Sequence, residues 1–198
     1  VMARPKVNEF TPTNPEKYIG DYPILMRSSW EFEFATMCDI LSTIISWASE
    51  PWRIPYRDPV TGLQKIYIPD FLVTFLINKE PVTQLIEIKP IKEAVMSAAT
   101  NQNTMPLIAR NNAKWEAAMA WCARRGVEFR VMDETQLYSG QALTRKGTAI
   151  QSWTPAVAKD IRAKAARARA AVVPTKARKH TMRVPGVRGP GNIKRRPQ

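Results

Sequence analysis

The chain has 198 residues, of which 44% are hydrophobic and 9% aromatic, enough for the core of one domain with an extension. No apolar run reaches the roughly 18 residues of a membrane span, and residues 1–10 lack the apolar segment of a signal peptide, so no membrane partner is expected. The net charge of +13 is uneven, because residues 1–144 hold 15 basic and 16 acidic side chains whereas residues 145–198 hold 15 and one. This asymmetry predicts a polyanionic partner, most often nucleic acid, with a solvated solubility tail as the alternative.

The first predicted elements are an arm and a helix. Residues 1–23 contain four prolines and little periodicity, which predicts an extended N-terminal arm lying over the domain. Ser28 stands three residues before Glu31, as in a capping box, and apolar residues follow at helical spacing until Pro51. We therefore predict one helix over residues 28–50.

Three strand-like segments follow, at 52–56, 64–77 and 82–90. Pro69 lies inside the second segment and indicates an edge or a bulge. The short connection NKEP between the second and third segments predicts an antiparallel hairpin.

A second helix and a last strand complete the predicted domain. Residues 91–109 are ambiguous and suggest a short helix and a loop. Residues 110–126 predict a helix that Gly126 ends, and 127–132 alternate as a strand does. One face of this helix is predicted to carry Trp115, Ala118, Met119 and Cys122. The order of elements indicates an α/β fold, with a mixed β-sheet flanked by helices.

The segment beyond residue 135 has a different composition. Residues 154–173, rich in Ala and Arg, predict a helix with a narrow apolar stripe that docks on a neighbour, and the remaining residues have the Pro, Gly and basic content of a disordered arm. The stripe consists of Val157, Ile161, Ala165, Ala168 and Val172. We therefore divide the chain into an extended arm (1–23), a folded domain (24–135) and a basic C-terminal extension (136–198).

Histidine and cysteine usage narrows the chemistry. The single histidine, His180, lies in the basic tail, which argues against a zinc site or a histidine-based triad. Cys38 and Cys122 are expected to be buried free thiols, since intracellular proteins rarely keep disulfides.

Three charged residues interrupt the apolar hairpin segments. Because side chains alternate along a strand, Glu87 and Lys89 share one face, while Ile88 points to the other. An antiparallel pairing centred on the NKEP turn brings Asp70 beside position 89, so the three charges converge at one end of the hairpin. The alternative is an ordinary strand start followed by a surface ion pair.

Converging carboxylates suggest a metal site. Two buried carboxylates repel each other, and a divalent cation resolves that conflict. Mg²⁺ prefers one or two carboxylates with waters and phosphate oxygens, and the carbonyl of Ile88 would be a further ligand. Lys89 would then orient a water or neutralise charge on a phosphoryl group, which is the chemistry of phosphodiester hydrolysis.

The PD and EIK motifs on a hairpin resemble the PD-(D/E)XK nuclease superfamily. More specifically, the chain is similar to the phage head-completion nucleases and, through them, to the endonuclease subunit of the Tn7 transposase. The matching segments, in order, are RSSWEFEF, IPYRDPVTG, YIPDFLV, LIEIKP and NAKWEAAMAWCARRGVEFRVM. The resemblance implies a restriction-endonuclease-like fold and an endonuclease that uses Mg²⁺, with Mn²⁺ as a substitute, on packaged or exposed ends of double-stranded DNA before tail attachment.

The resemblance also implies residue roles. Asp70 and Glu87 match the metal ligands, Lys89 matches the catalytic lysine, and Glu31 matches the acidic residue on the first helix, although it also reads as a capping glutamate. Lys114 matches a later motif and is a candidate phosphate contact.

Further nucleic-acid contacts are predicted outside these motifs. Arg27 is a candidate near the first helix, and the basic extension, which lies outside the resemblance, supplies Arg162, Arg167, Arg169, Lys176, Arg178 and Lys179. Phage head, portal or neck proteins and a second copy of the chain are the expected protein partners. The expected location is the host cytoplasm during assembly, with the virion as a second one. The alternatives are a structural protein at the head–tail junction that uses a nuclease fold as a scaffold, and a recombination endonuclease that needs a transposase partner.

Overall fold

Four strands form a mixed central sheet in the computed structural model, which describes residues 7–90, 105–138, 144–145, 148–149 and 155–171. The strands are β1 (Asn8–Phe10), β2 (Ile24–Met26), β3 (Ile44–Ser49), β4 (Ile54–Arg57), β5 (Gln64–Tyr67), β6 (Phe71–Ile77), β7 (Glu80–Ile88), β8 (Glu128–Met132), β9 (Thr144–Arg145) and β10 (Thr148–Ala149). The α-helices are α1 (Ser29–Ile40), α2 (Met105–Ala123), α3 (Glu134–Tyr138) and α4 (Pro155–Ala171), and a 3₁₀ turn spans Pro15–Lys17. The sheet has the order β3-β6-β7-β8, with β8 parallel to β7 and the other pairs antiparallel. The described part therefore has the predicted architecture, a mixed sheet flanked by helices.

Each face of the sheet covers its own hydrophobic cluster. On one face, Phe71, Val73, Phe75 and Ile86 pack in the cluster that contains α1 residues and Ala165 of α4. On the other face, Leu85 packs with the β4–β5 ribbon and with Ala118 and Cys122 of α2. Alternation along β6 and β7 thus sends successive side chains to two different helical layers. No helix in the described ranges is long and apolar enough to cross a membrane.

The predicted helix over 28–50 is wrong in its second half. α1 ends at Ile40, and Ile44–Ser49 forms the edge strand β3 against β6. Apolar residues at helical spacing suggested a continuous helix, but Ile44 is buried, Ile45 is 46% exposed and Trp47 is buried. Sheet pairing with β6 and the burial of Trp47 override the local helical pattern, because tertiary packing dominates weak propensity.

The hairpin exists, but its turn is tighter than predicted. Ile77 pairs with Glu80, so Asn78 and Lys79 alone form the turn, with φ of 51° and 70°. Positive φ at both central residues is typical of a type I′ turn. The register therefore pairs Phe71 with Ile86, two residues away from the predicted alignment.

The predicted second strand divides around Pro69. Its first part, β5, pairs with β4 in a separate two-stranded ribbon, and its second part, β6, enters the central sheet. Proline has no N–H to donate to a ladder, so a break between two sheets suits this position.

α2 starts earlier than predicted, and its buried face matches the predicted one only in part. It begins at Met105 and so includes part of the ambiguous segment, whereas 91–104 lie outside the described residues. Ala118 and Cys122 are buried as predicted, but Trp115 is only partly buried and Met119 is 52% exposed. Gly126 adopts φ of 66° after the helix, as the predicted stop requires.

The N-terminal arm is anchored to the domain. Phe10 and Tyr18 are buried against Trp47 through edge-to-face ring contacts. The carboxylate of buried Asp39 accepts hydrogen bonds from the amides of Thr13 and Asn14 at 2.8 and 2.9 Å. The described part of the arm, residues 7–23, therefore lies against the domain.

Part of the basic extension also packs on the domain. α4 contacts α1, with Ala165 buried, whereas Ala168 of the predicted stripe is exposed. The side chains of the other stripe residues lie outside the described ones, namely Val157, Ile161 and Val172. Both cysteines are buried free thiols, which confirms the prediction.

Candidate active site

Two strand ends bring the predicted charges together. Asp70 immediately precedes β6, and Glu87 and Lys89 stand at the end of β7. The pairing of Phe71 with Ile86, extended by one residue, places Asp70 opposite Glu87, and the amide of Ile88 donates a 2.7 Å hydrogen bond to Asp70 Oδ2. The convergence predicted from alternation is therefore present, although the pairing that produces it differs.

Glu87 is the buried centre of the site. It is only 4% exposed, its Oε2 accepts a 2.8 Å hydrogen bond from the Tyr67 hydroxyl, and its Oε1 lies 3.1 Å from Lys89 Nζ. Both carboxylate oxygens thus have a partner, as a buried charge requires. The ion pair also confirms that Glu87 and Lys89 share a face.

The site carries more negative than positive charge. Burial is the main cause that raises the pKa of the Asp70 carboxyl well above its ordinary value, followed by the charge of Glu87, while Glu31 adds a smaller repulsion. The Ile88 amide and Lys89 act in the opposite direction but do not balance these effects. Burial and then the charge of Glu87 also raise the pKa of Tyr67, so its hydroxyl remains a donor.

This donor set fits a hard divalent cation. A cation between Asp70 and Glu87 would offset the repulsion that raises the pKa of Asp70. Mg²⁺ suits the site because it accepts one or two carboxylates and keeps several waters. Among the described residues, however, no three His, Cys, Asp or Glu side chains form a ready-made metal cluster. The roles of the Ile88 carbonyl and Glu31 as additional ligands remain predictions.

Glu31 and Arg27 border the site beside Asp70. Ser28 caps α1 by accepting from the Glu31 amide at 3.1 Å, but Glu31 Oε2 accepts from the Arg27 amide at 2.8 Å instead of completing the predicted box with Ser28. The exposed Arg27 guanidinium pairs with Glu50, whose amide donates to the Asp70 carbonyl at 2.8 Å. This chain of contacts fixes the start of α1 next to the carboxylates.

Lys114, another predicted nucleic-acid contact, lies beside the site. Its Nζ stands over the Tyr67 ring, 5.7 Å from the centroid, and the Tyr67 hydroxyl contacts Glu87. Arg167 is exposed on α4. The side chains of Arg162 and Arg169, and the whole of Lys176, Arg178 and Lys179, lie outside the described residues.

Sequence reasoning missed Tyr67 and a buried charged cluster on the ribbon. Tyr67 reads as an ordinary strand residue, and only its position three residues before Asp70 could have drawn attention to it. Asp58 reads as a turn residue, but it is fully buried and binds both Lys65 and Arg110. These partners depend on how the ribbon packs against α2, which the local pattern does not encode.

Comparisons with known proteins identify the family of the chain. Residues 41–134 match the TnsA-like endonuclease N-terminal family, a range that includes Asp70, Glu87, Lys89 and Lys114. The chain is also 34% identical over 150 residues to the head completion nuclease of Enterobacteria phage T4, covering 70% of this chain and 96% of that protein. The chain therefore belongs to the family of phage head completion nucleases.

Proposed function

We propose that the protein is a Mg²⁺-dependent DNA endonuclease that acts in the head completion of a tailed phage, on packaged DNA ends before tail attachment. The observation that carries this proposal is the convergence of Asp70, Glu87 and Lys89 at one end of the hairpin, in a chain of this family. Mn²⁺ is the expected substitute for Mg²⁺.

Asp70 and Glu87 would hold the metal, with the Ile88 carbonyl and Glu31 completing its surroundings. When bound, the metal would supply Lewis-acid activation of a water and of the scissile phosphoryl group. The Tyr67 hydroxyl holds one oxygen of Glu87 in place, which limits the orientations that the carboxylate adopts. This arrangement supports hydrolysis without a histidine.

Lys89 and Lys114 would act on the DNA. Lys89 Nζ stays beside Glu87 with its side chain 26% exposed, so it can reach a phosphate at the site and offset the charge that develops during in-line attack. Lys114, over the Tyr67 ring, would contact a neighbouring phosphate. Arg27 and the basic residues of the extension would add non-specific affinity through counterion release.

The proposal extends to organisation and partners. Residues 24–135 would form the nuclease domain, with 1–23 as its arm and 136–198 as a basic extension. Double-stranded DNA and phage head, portal or neck proteins would be the partners, in the host cytoplasm during assembly and then in the virion. A homo-oligomer is the further expectation.

Cleavage of linear duplex DNA tests the catalytic assignment. Asp70→Asn, Glu87→Gln and Lys89→Ala should each lower the cleavage rate at saturating Mg²⁺ at least about 100-fold. The first two remove a proposed metal ligand, and the third removes the positive charge beside the reacting phosphate. Glu80→Gln is the matched control, since Glu80 is exposed at the opposite end of the same hairpin. Wild-type cleavage by Asp70→Asn or Lys89→Ala would remove the catalytic claim.

A further inference from the structure

The β4–β5 ribbon extends directly from the candidate active site. Tyr67, the last residue of β5, donates to Glu87, and α2 packs along β4. Residues 51–67 contain one acid, Asp58, which is fully buried, and three basic residues, Arg53, Arg57 and Lys65. The ribbon surface that solvent reaches is therefore positively charged.

Asp58 organises two of the cations around this ribbon. Its carboxylate accepts from the Val60 amide at 2.9 Å and pairs with Lys65 and with Arg110, whose Nε lies 3.2 Å away. Lys65 and Arg110 nevertheless keep 40% and 37% of their side chains exposed. These contacts lower the pKa of Asp58, and the hydrogen bond from Lys65 is the largest cause. Asp58 is therefore ionised at neutral pH, and Asp58, Lys65 and Arg110 together carry one net positive charge. The buried carboxylate thus preorganises two cations that still face solvent.

The cations lie close together along α2 and the ribbon. Arg110 precedes Lys114 by one helical turn, about 6 Å along α2. Lys65 shares the Asp58 carboxylate with Arg110, and Lys114 stands over Tyr67, two residues after Lys65 on β5. The positive charge therefore continues from Lys114, beside the site, to Arg110 and Lys65.

The outer face of the ribbon, opposite to the face that carries Lys65, adds one more cation. Cross-strand partners share a face, so Arg57 and Gln64 both point away from α2, as their exposure also shows. Arg57 Nε donates to the Gly62 carbonyl at 3.2 Å, which fixes its side chain near the tip of the ribbon. Leu63 is 63% exposed at the same tip.

We infer that the β4–β5 ribbon and the start of α2 form a DNA-tracking ridge, in which Lys65, Arg110 and Arg57 bind the phosphate backbone of the duplex beside the cleavage site. This inference rests on the proposed function and adds to it the path that DNA takes away from the carboxylates. The ridge contacts phosphates and no bases, so it binds all sequences alike.

The salt dependence of DNA binding tests the ridge. We would measure binding of a fluorescent duplex to the full chain in the Asp70→Asn background, which prevents cleavage under the proposed function. Arg57→Gln and Lys65→Gln should each make the slope of log K against log salt less steep by about 0.9, the value of one phosphate contact. Lys79→Asn is the control, because this turn lies seven residues, about 23 Å, from the site along β6, and Asn accepts its positive φ.

A cross-link provides a second measurement that does not depend on the stability of the charge variants. Both native cysteines are buried, so a photoreactive maleimide would label Leu63→Cys or Lys79→Cys selectively. Label at position 63 should cross-link to the duplex, and label at position 79 should not. Unchanged slopes in both ribbon variants, an equal change in the control, or no cross-link from position 63 would overturn the ridge.

The two proposals fail in different ways. Normal DNA binding by the ribbon variants, together with a cleavage defect in Asp70→Asn, would reject the ridge and leave the nuclease assignment intact. Altered slopes in the ribbon variants, together with wild-type cleavage by Asp70→Asn, would support the ridge and reject the catalytic assignment.

Discussion

Removing the Tyr67 hydroxyl tests how the site holds its buried charge. Tyr67 is 3% exposed, and its hydroxyl donates to Glu87 Oε2 at 2.8 Å, whereas the other carboxylate oxygen faces Lys89. Tyr67→Phe keeps the ring beneath Lys114 and deletes only the donor. Because hydrogen bonds to charged groups contribute about 1.5–3 kcal/mol, we expect the free energy of unfolding to fall by about that amount.

The assay is equilibrium urea denaturation of the metal-free protein, supported by thermal melting. For a chain of this size the expected loss corresponds to about 3–12 °C in melting temperature. Tyr56→Phe is the matched control, because Tyr56 is 7% exposed on the same face of the ribbon and no described group bonds its hydroxyl. This control should change stability by less than about 0.5 kcal/mol.

A metal titration separates positioning from simple stabilisation. Removing a side chain that hydrogen-bonds a metal ligand typically lowers metal affinity about 10–100-fold. Tyr67→Phe should therefore need about 10–100 times more Mg²⁺ for half-maximal cleavage. Equal stability losses in Tyr67→Phe and Tyr56→Phe, with an unchanged Mg²⁺ requirement in both, would refute the reasoning.

Four further predictions test other parts of the fold. Asp39→Ala should lower the free energy of unfolding by about 2–3 kcal/mol in urea denaturation and speed proteolysis of the arm, because two arm amides lose their acceptor. Lys79→Gly should raise that free energy by about 0.5–1 kcal/mol, since glycine adopts positive φ without strain. Cys38 and Cys122 should resist a thiol reagent at pH 8 until the protein unfolds, because burial raises the pKa of both thiols, that of Cys122 to about 11. The depressed pKa of Asp58 contributes stability above its unfolded value, so the difference in urea midpoint between wild type and Asp58→Asn should be full at pH 7 and shrink as the pH falls below about 4.

Local patterns predicted the elements whose signals are short-range. Side chains that alternate with a period of two predict β6, β7 and β8. Apolar residues at helical spacing, followed by Gly126, predict the C-terminal half of α2. These features depend on contacts within a few residues or across a single tight turn. The sequence could therefore predict a mixed sheet and the hairpin that carries the charges.

Long-range packing decided what the sequence could not predict. Ile44 and Ile45 suit a helix by spacing, but β6 requires an edge partner and Trp47 fills the core between the sheet and the arm. The burial of Asp58 likewise depends on Arg110, 52 residues later in the chain. Neither outcome follows from the residues next to these positions.

The predicted convergence of Asp70 with Glu87 is correct although the predicted strand register is wrong, and the reason is geometric. The prediction paired position 70 with position 89, and the structure aligns it with position 87, a shift of two residues. Side chains alternate with a period of two, so a shift of two keeps every side chain on its face and moves the partner by only about 7 Å. A shift of one would have directed Asp70 towards α1, and Ile88 instead of Glu87 would have stood beside it.

Inserting one residue between Asp70 and Phe71 forces a shift of one. This insertion should therefore abolish cleavage while the sheet still folds. Inserting one residue into the Asn78–Lys79 turn does not force such a shift.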